Sequence, residues 1–380
     1  GLLNSCQAQL PPDAAVAELI RSAWDGIDPR HYLDCHVHLV GTGDSGSGIE
    51  INPQMESLFH PMQYAQRLFY LNAGCVHDAP GRVDDSYVER MLNRMEALPP
   101  GASLLLFAFD RFHDGNGPPD ADRSSFHTPN AYARRVAERH PLAFLWAASI
   151  HPYRPDCVDE LAAAVAGGAR AVKWLPPAMG IDPSSPLCDR FYAALATYGL
   201  PLISHAGDER AVHGADQQAF GNPLLLRRAL DHGVRVVVAH CASLGSGHID
   251  DLRSAKLSNF ELFAQLMDDA RYRSNLFGDI SAITQGNRMS VVASLLERRD
   301  WHERLLNGSD YPLPGVVPLI SLRALVDWQL LDAAAVDTLR RLRDINVLLY
   351  DFVLKRNLKK DGQGFATPVF ETAPFFSRPA

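Results

Sequence analysis

The chain has 380 residues, of which 47% are hydrophobic and 21% charged, and its formal net charge is −8 at pH 7. Such a length buries a large core, the composition excludes a disordered or fibrous chain, and no apolar run approaches the ~20 residues that cross a bilayer. The acidic balance, with no basic stripe carrying interleaved aromatics, argues against a nucleic-acid partner.

Residues 1–30 read as an N-terminal extension. Its start, Leu2-Leu-Asn-Ser-Cys6, loosely resembles a bacterial lipoprotein processing site, and a chain opening on Gly1 is expected to lack its native start. Location, cytoplasmic or exported, stays open. The first strand-like run, 32–39, ends on His36 and His38. Residues 40–101 then form a long insertion, with a Gly/Ser-rich loop at 41–48 and helical patterns at 61–71 and 87–98. It is placed to act as a lid or substrate wall, or as surface decoration. Further short apolar runs lie at 103–109, 144–150, 169–175, 201–205, 234–240, 275–280 and 304–308. Helical patterns at 158–166, 189–198, 223–231, 260–269 and 289–298 alternate with them. Residues 111–129 read as an irregular loop, 333–355 as closing helices and 359–380 as an extended tail.

Short apolar runs without alternation fit parallel strands covered on both faces. Connections too long for hairpins predict right-handed crossovers. The predicted fold class is therefore α/β, a (β/α)₈ TIM barrel over 31–358 with a large insertion after strand 1. Its active site is expected at the C-terminal strand ends. A doubly wound open sheet is the alternative. No internal repeat or clear linker divides the chain, so one domain is expected.

His36 and His38 are spaced i, i+2, so on a strand both project to one face and can reach one ion. Lys173, His205, His240 and Asp310 each end a later strand-like run, and this order points to a metal-dependent barrel enzyme. Imidazole and carboxylate ligands suit zinc, which lowers the pKa of a bound water to about 7. Asp310 is then placed to orient that water and shuttle its proton. A bare ammonium has no lone pair, so Lys173 must be modified to ligate or must serve otherwise. The six cysteines form no C-x-x-C pair and no dense framework. Cys35 and Cys241 read as packing residues facing away from their histidine neighbours, and Trp174 as packing against the helices. As weaker candidates, Arg111, His151 and Arg154 follow strands two and three, where an arginine can clamp an anionic substrate. Asp208 and Glu209, close after His205, read as caps of the next helix rather than as ligands or supports of a histidine. Asp279, Ser281, Asn287 and Arg288, near and beyond the end of strand seven, are unranked substrate contacts.

The runs Leu33-Asp-Cys-His-Val-His-Leu39, Ala239-His-Cys-Ala242 and Asn307-Gly-Ser-Asp-Tyr-Pro312 resemble the amidohydrolase superfamily. Lys173-Trp-Leu-Pro-Pro177, Gly180-Ile-Asp-Pro183 and Ile150-His-Pro152 add to this. The branch resembled holds TIM-barrel metal-dependent hydrolases and amino-carboxymuconate-semialdehyde decarboxylase-like enzymes. The resemblance implies a buried divalent ion on His36, His38 and Asp310, with Asp310 also accepting a proton. It implies a second ion on His205 and His240, bridged to the first by a carboxylated Lys173. In one-metal members His205 joins the first set and His240 becomes an acid or base. Two ions, most simply zinc, and a hydrolase cutting an amide, ester, lactone or related bond of a small molecule are the leading expectation. A mononuclear decarboxylase is the alternative, and a non-catalytic barrel the third reading. By analogy alone, a homodimer is expected.

Overall fold

Each predicted apolar run forms a strand in the computed structural model, which describes residues 6, 13–76, 80–115, 118–212, 217–249 and 255–378. The eight are β1 (Leu33–His38), β2 (Ser103–Phe107), β3 (Phe144–Ala147), β4 (Val172–Trp174), β5 (Leu202–His205), β6 (Val236–Ala239), β7 (Leu276–Asp279) and β8 (Leu305–Leu306). They pair in parallel as two arcs, β1-β2-β3 and β4-β5-β6-β7-β8. Two seams join the arcs. Across β3 and β4, Lys173 N donates to Ala148 O at 2.7 Å beside the Ala148–Val172 bridge. Across β1 and β8, Cys35 N donates to Asn307 O and His38 N to Tyr311 O, both at 3.0 Å. The sheet is thereby closed into a barrel, and the open doubly wound alternative is excluded.

Alternation along the strands separates inside from outside. Leu33, Cys35, Leu105, Phe107, Ala147, Ala171, Ile203, Val237 and Leu306 fill the interior. Trp174 faces out as expected, its ring 5.6 Å from that of Phe191 and 5.7 Å from that of Tyr192 on the helix Asp189–Tyr198. Residues after 359 do not simply run extended. Pro368 and Pro374 start two short 3₁₀ turns, Thr367–Phe370 and Ala373–Phe376. The second inserts Phe376, fully buried, among the interior side chains. Arg170 and Arg235, just before β4 and β6, hold this turn through the carbonyls of Phe376 and Phe375 at 2.9 and 3.4 Å. The tail thus plugs the N-terminal end of the barrel.

The insertion carries α1 (Pro61–Ala73) and α2 (Val83–Met95). Its Gly/Ser-rich loop is pinned by the buried Asp84, which accepts from Thr42 N at 2.6 Å and Gly43 N at 3.1 Å. The strand pair Glu50–Ile51 and Phe126–His127 ties the insertion to the loop after β2. Cys6 and Cys75 form a disulfide with Cα atoms 5.6 Å apart, a pairing that cysteine spacing did not predict. Of the lipoprotein-like start, residues 1–5 lie outside the described residues. No helix among the described residues is long and apolar enough to cross a membrane.

Candidate metal centre

Strand parity delivers three of the six expected side chains, and Asp279 beside them, to the barrel mouth. Two residues beyond Ala171 and Ile203 come Lys173 and His205, and beyond Leu306 the same alternation leads through Gly308 to Asp310. Phe277, which packs on the interior, is likewise followed by Asp279. The histidines of β1 and β6 need a correction to that parity. On β1 the pairing register with β2 shifts between Asp34 and Val37, a bulge that lets His36 and His38 point inward although Cys35 already does. After β6, His240, Cys241 and Ala242 adopt left-handed φ values of 56°, 49° and 53°. Such a run is rare for residues with a Cβ and marks functional sites. Here it swings His240 into the mouth. Both neighbouring cysteines are buried packing residues, as expected, but only Cys241 faces away from its histidine; the β1 bulge leaves Cys35 pointing into the barrel as His36 does.

His36 is held from both ring nitrogens. Its Nδ1–H donates to Asp279 Oδ2 at 2.9 Å, which turns Nε2 toward Asp310 Oδ1 at 3.2 Å. His38 Nε2 lies 3.0 Å from the same oxygen. Burial and the nearby Lys173 ammonium oppose protonation of His36, but the carboxylates of Asp279 and Asp310 outweigh them and hold its pKa above the ordinary value. Burial alone would raise the pKa of Asp310; the surrounding His240, His36 and His38 depress it well below the carboxylate range. Both carboxylates are therefore anionic acceptors.

Asp279 does more than orient His36. Its Oδ1 accepts from His240 N and Ser281 N, both at 3.0 Å, and from Ser281 Oγ. Ser281 in turn meets His240 Nδ1 through Oγ at 2.7 Å and through its carbonyl at 3.1 Å. His240 thereby keeps Nε2 as its free ring nitrogen, and burial pushes its pKa well below the ordinary value. His205, also lowered by burial, sets Nε2 3.2 Å from Gly207 O and Nδ1 3.4 Å from Glu209 Oε2. Lys173 is fully buried, its Nζ 5.0 Å over the Phe107 ring, with no ion-pair partner among the described residues. Burial lowers its pKa.

All six expected residues line one cavity of about 1010 Å³. Among the described residues two sets of donor atoms converge within 4.8 Å there: His36, His38 and Asp310, and His36, His240 and Asp279. The first fits a divalent ion, because two imidazole Nε2 atoms and a carboxylate oxygen meet at one point while Asp279 satisfies the other nitrogen of His36. In the second, Asp279 already engages Nδ1 of His36 by a hydrogen bond, so it reads as support. Lys173 and His205 reach the cavity without joining either set.

The structure does not bring Arg111, His151 or Arg154 to this cavity. Arg111 pairs with Glu50 at 2.8 Å on the outer strand pair. Arg154 is taken up by Asp110 at 3.0 Å and Asp156 at 2.9 Å. His151, fully buried, donates from Nε2 to Met179 O at 2.7 Å. Each follows a strand, as expected, but the loop folds back on the barrel wall before reaching the mouth. Three contributors carried a weaker sequence signal. Asp279 ends a strand as Asp310 does, whereas Glu209 and Arg288 sit on loops whose course the sequence does not reveal. The roof of Met62, Gln66, Phe69 and Tyr70 from α1 had only its lid-like position in the insertion.

Comparison with known proteins gives a match to the family described as Amidohydrolase over residues 33–341. No curated protein matches the chain. Among solved structures, an uncharacterized TIM-barrel protein from Bordetella bronchiseptica is similar at 16% identity and a TM-score of 0.49, covering 81% of this chain and 94% of that one. A probable 2-pyrone-4,6-dicarboxylic acid hydrolase from Acinetobacter baumannii is similar at 13% identity and a TM-score of 0.47, covering 85% and 99%. A 5-carboxyvanillate decarboxylase from Sphingomonas paucimobilis is similar at 12% identity and a TM-score of 0.41, covering 86% and 97%.

Proposed function

The chain belongs to the amidohydrolase family, and on that premise we propose that it is a metal-dependent hydrolase cleaving an amide, ester, lactone or related bond of a small molecule. One observation carries this reading: Nε2 of His36 and of His38 lie 3.2 and 3.0 Å from the same Asp310 oxygen. These three residues would hold a divalent ion, zinc being the natural match for two imidazoles and a carboxylate. When bound, such an ion supplies Lewis acidity and makes a water acidic enough to give up a proton near neutral pH. Asp310, held anionic, is placed to take that proton and pass it to the leaving group. Asp279 and Ser281 keep His36 and His240 in fixed tautomers throughout. The roof of α1 and the loops over the cavity exclude bulk water from the bond being cut. In the two-ion form, Lys173 carboxylated at Nζ would join His205 and His240 around a second ion.

A specific observation favours a second reading. Among the described residues one set of donors converges free of other hydrogen bonds, and His205 Nε2 is turned to Gly207 O at 3.2 Å. That arrangement suits a one-ion lyase that decarboxylates a small carboxylic acid, with His240 as acid or base. Elemental mass spectrometry on protein purified without chelator separates the two. About two equivalents of a divalent ion per chain, falling to one in Lys173→Ala, supports the hydrolase; one equivalent unaffected by Lys173→Ala supports the lyase. His36→Ala should lose the ion with the fold retained, and full occupancy in that variant would overturn both.

A further inference from the structure

A buried lysine outside the cavity has no use in the reaction as described. Lys355, on the helix Val347–Asn357, is fully buried, and Asp351 one turn earlier is 2% exposed. The other buried positions of that helix are apolar or aromatic. Lysine is rarely buried without a partner, because desolvating its charge is costly. Here Nζ donates to Asp351 Oδ2 at 2.8 Å and to Gly308 O at 2.5 Å. An ion pair serving only to stabilise the helix has no need of the second acceptor. Gly308 O belongs to the same peptide group as Ser309 N–H, and that N–H donates to Asp34 Oδ1 at 2.8 Å. One peptide at the end of β8 is thus gripped on both sides by buried charged side chains. The same Asp34 oxygen accepts from His36 N at 3.2 Å, which ties this peptide to β1. The next residue, Asp310, has a left-handed φ of 62°. A residue with a Cβ persists in that region when its surroundings over-determine it. The fit leaves little slack, since a Cβ at Gly308 would lie 2.7 Å from that of His36. Tilting the Gly308–Ser309 peptide therefore shifts Asp310 against His36, whose Nε2 it meets at 3.2 Å.

Resting on the reading of His36, His38 and Asp310 as the ion's ligands, we propose that Lys355, Asp351 and Asp34 are positioning residues for that centre. None of the three lines the cavity. They hold the Gly308–Ser309 peptide so that Asp310 faces both histidines before an ion arrives. The test loads chelator-stripped protein with cobalt(II), whose visible bands report ligand geometry, and measures affinity against a chromophoric chelator. Lys355→Met/Asp351→Asn removes both charges together, so no uncompensated charge stays buried. It should bind cobalt about tenfold or more weakly, with shifted bands. Asp34→Ala, which releases the other side of the peptide, should do the same. Wild-type affinity in both variants would overturn the proposal, and a lower melting temperature beside it assigns the pair to the fold alone. Weaker binding with wild-type bands also overturns it, because a softened fold lowers affinity without changing the geometry of the bound ion. If neither variant folds, hydrogen exchange in the wild type decides. Residues 307–311 should exchange as slowly without metal as with cobalt bound; fast exchange in the metal-free protein would mean that the ion itself does the ordering. His36→Ala separates this proposal from the reading beneath it. If that variant keeps cobalt, the ion lies elsewhere and the reading of the centre fails. If it loses cobalt while the double variant and Asp34→Ala bind and absorb as the wild type does, the positioning role alone fails.

Discussion

Asp279 decides which nitrogen of His36 faces the cavity. Its carboxylate accepts from Nδ1 at 2.9 Å, so the lone pair of Nε2 is left for an ion. Asparagine has nearly the same shape and could still accept from His240 N and Ser281 N. It would, however, point an amide N–H at Nδ1 and drive the ring proton to Nε2. Asp279→Asn should therefore fold normally yet bind metal about 10- to 100-fold more weakly. Competition against a chromophoric chelator measures this, and an unchanged affinity would show that Asp279 does not set the tautomer. At the same scale, sequence position ranked Asp310 above Asp279 although both are acids at strand ends. Nothing in the chain's order says that one meets two histidines at Nε2 and the other supports a ring from behind. Arg111, His151 and Arg154 show the converse: the right residue types after the right strands, drawn to Glu50, Met179 O and Asp110 by loops that turn away.

At the scale of elements, the strands were legible because each is a short apolar run ending in a chemically distinctive residue. Their internal departures were not. The β1 register shift and the left-handed turn from His240 to Ala242 redirect side chains without a residue type that announces them. The tail was read as extended because its prolines and aromatics show no period. Its role comes from meeting the barrel floor, where Phe376 is fully buried among residues from all around the barrel. Phe376→Ala leaves a cavity there and should cost about 3–5 kcal/mol of stability. Chemical denaturation would show it as a lower midpoint at unchanged slope; a loss under about 1 kcal/mol would mean that the plug is not part of the core.

For the whole molecule, buried groups on the barrel wall couple stability to pH. His151 is neutral when folded: Nε2–H donates to Met179 O at 2.7 Å, and Nδ1 accepts from Tyr153 N at 3.2 Å. Burial and the neighbouring His113 push its pKa down to about 3. Its unfolded value is about 6.5, so folding favours the neutral form. The stabilisation is complete above about pH 6.5 and is lost progressively as pH falls toward 3. Melting temperatures between pH 7.5 and 4.5 should decline more steeply for the wild type than for His151→Asn, which does not titrate. Parallel curves would remove His151 from the account of acid stability. The Cys6–Cys75 disulfide also belongs to this scale, joining the N-terminal segment to the residues after α1. Two cysteines 69 residues apart carry no pairing signal until the chain has folded around them.

By itself the sequence determined the barrel, since hydrophobic runs and their spacing are local properties that choose strand or helix and force parallel crossovers. It also determined that His36, His38, Lys173, His205, His240 and Asp310 gather at one end, because parallel strands bring all their C-terminal ends to one mouth. Tertiary structure decided the rest. Hydrogen-bond geometry between distant strands settled which three donors converge and which acid supports them. The path of loops and of α1 settled which charges line the cavity and which are neutralised elsewhere. Those outcomes depend on distances between residues far apart in the chain, a quantity that local pattern does not encode.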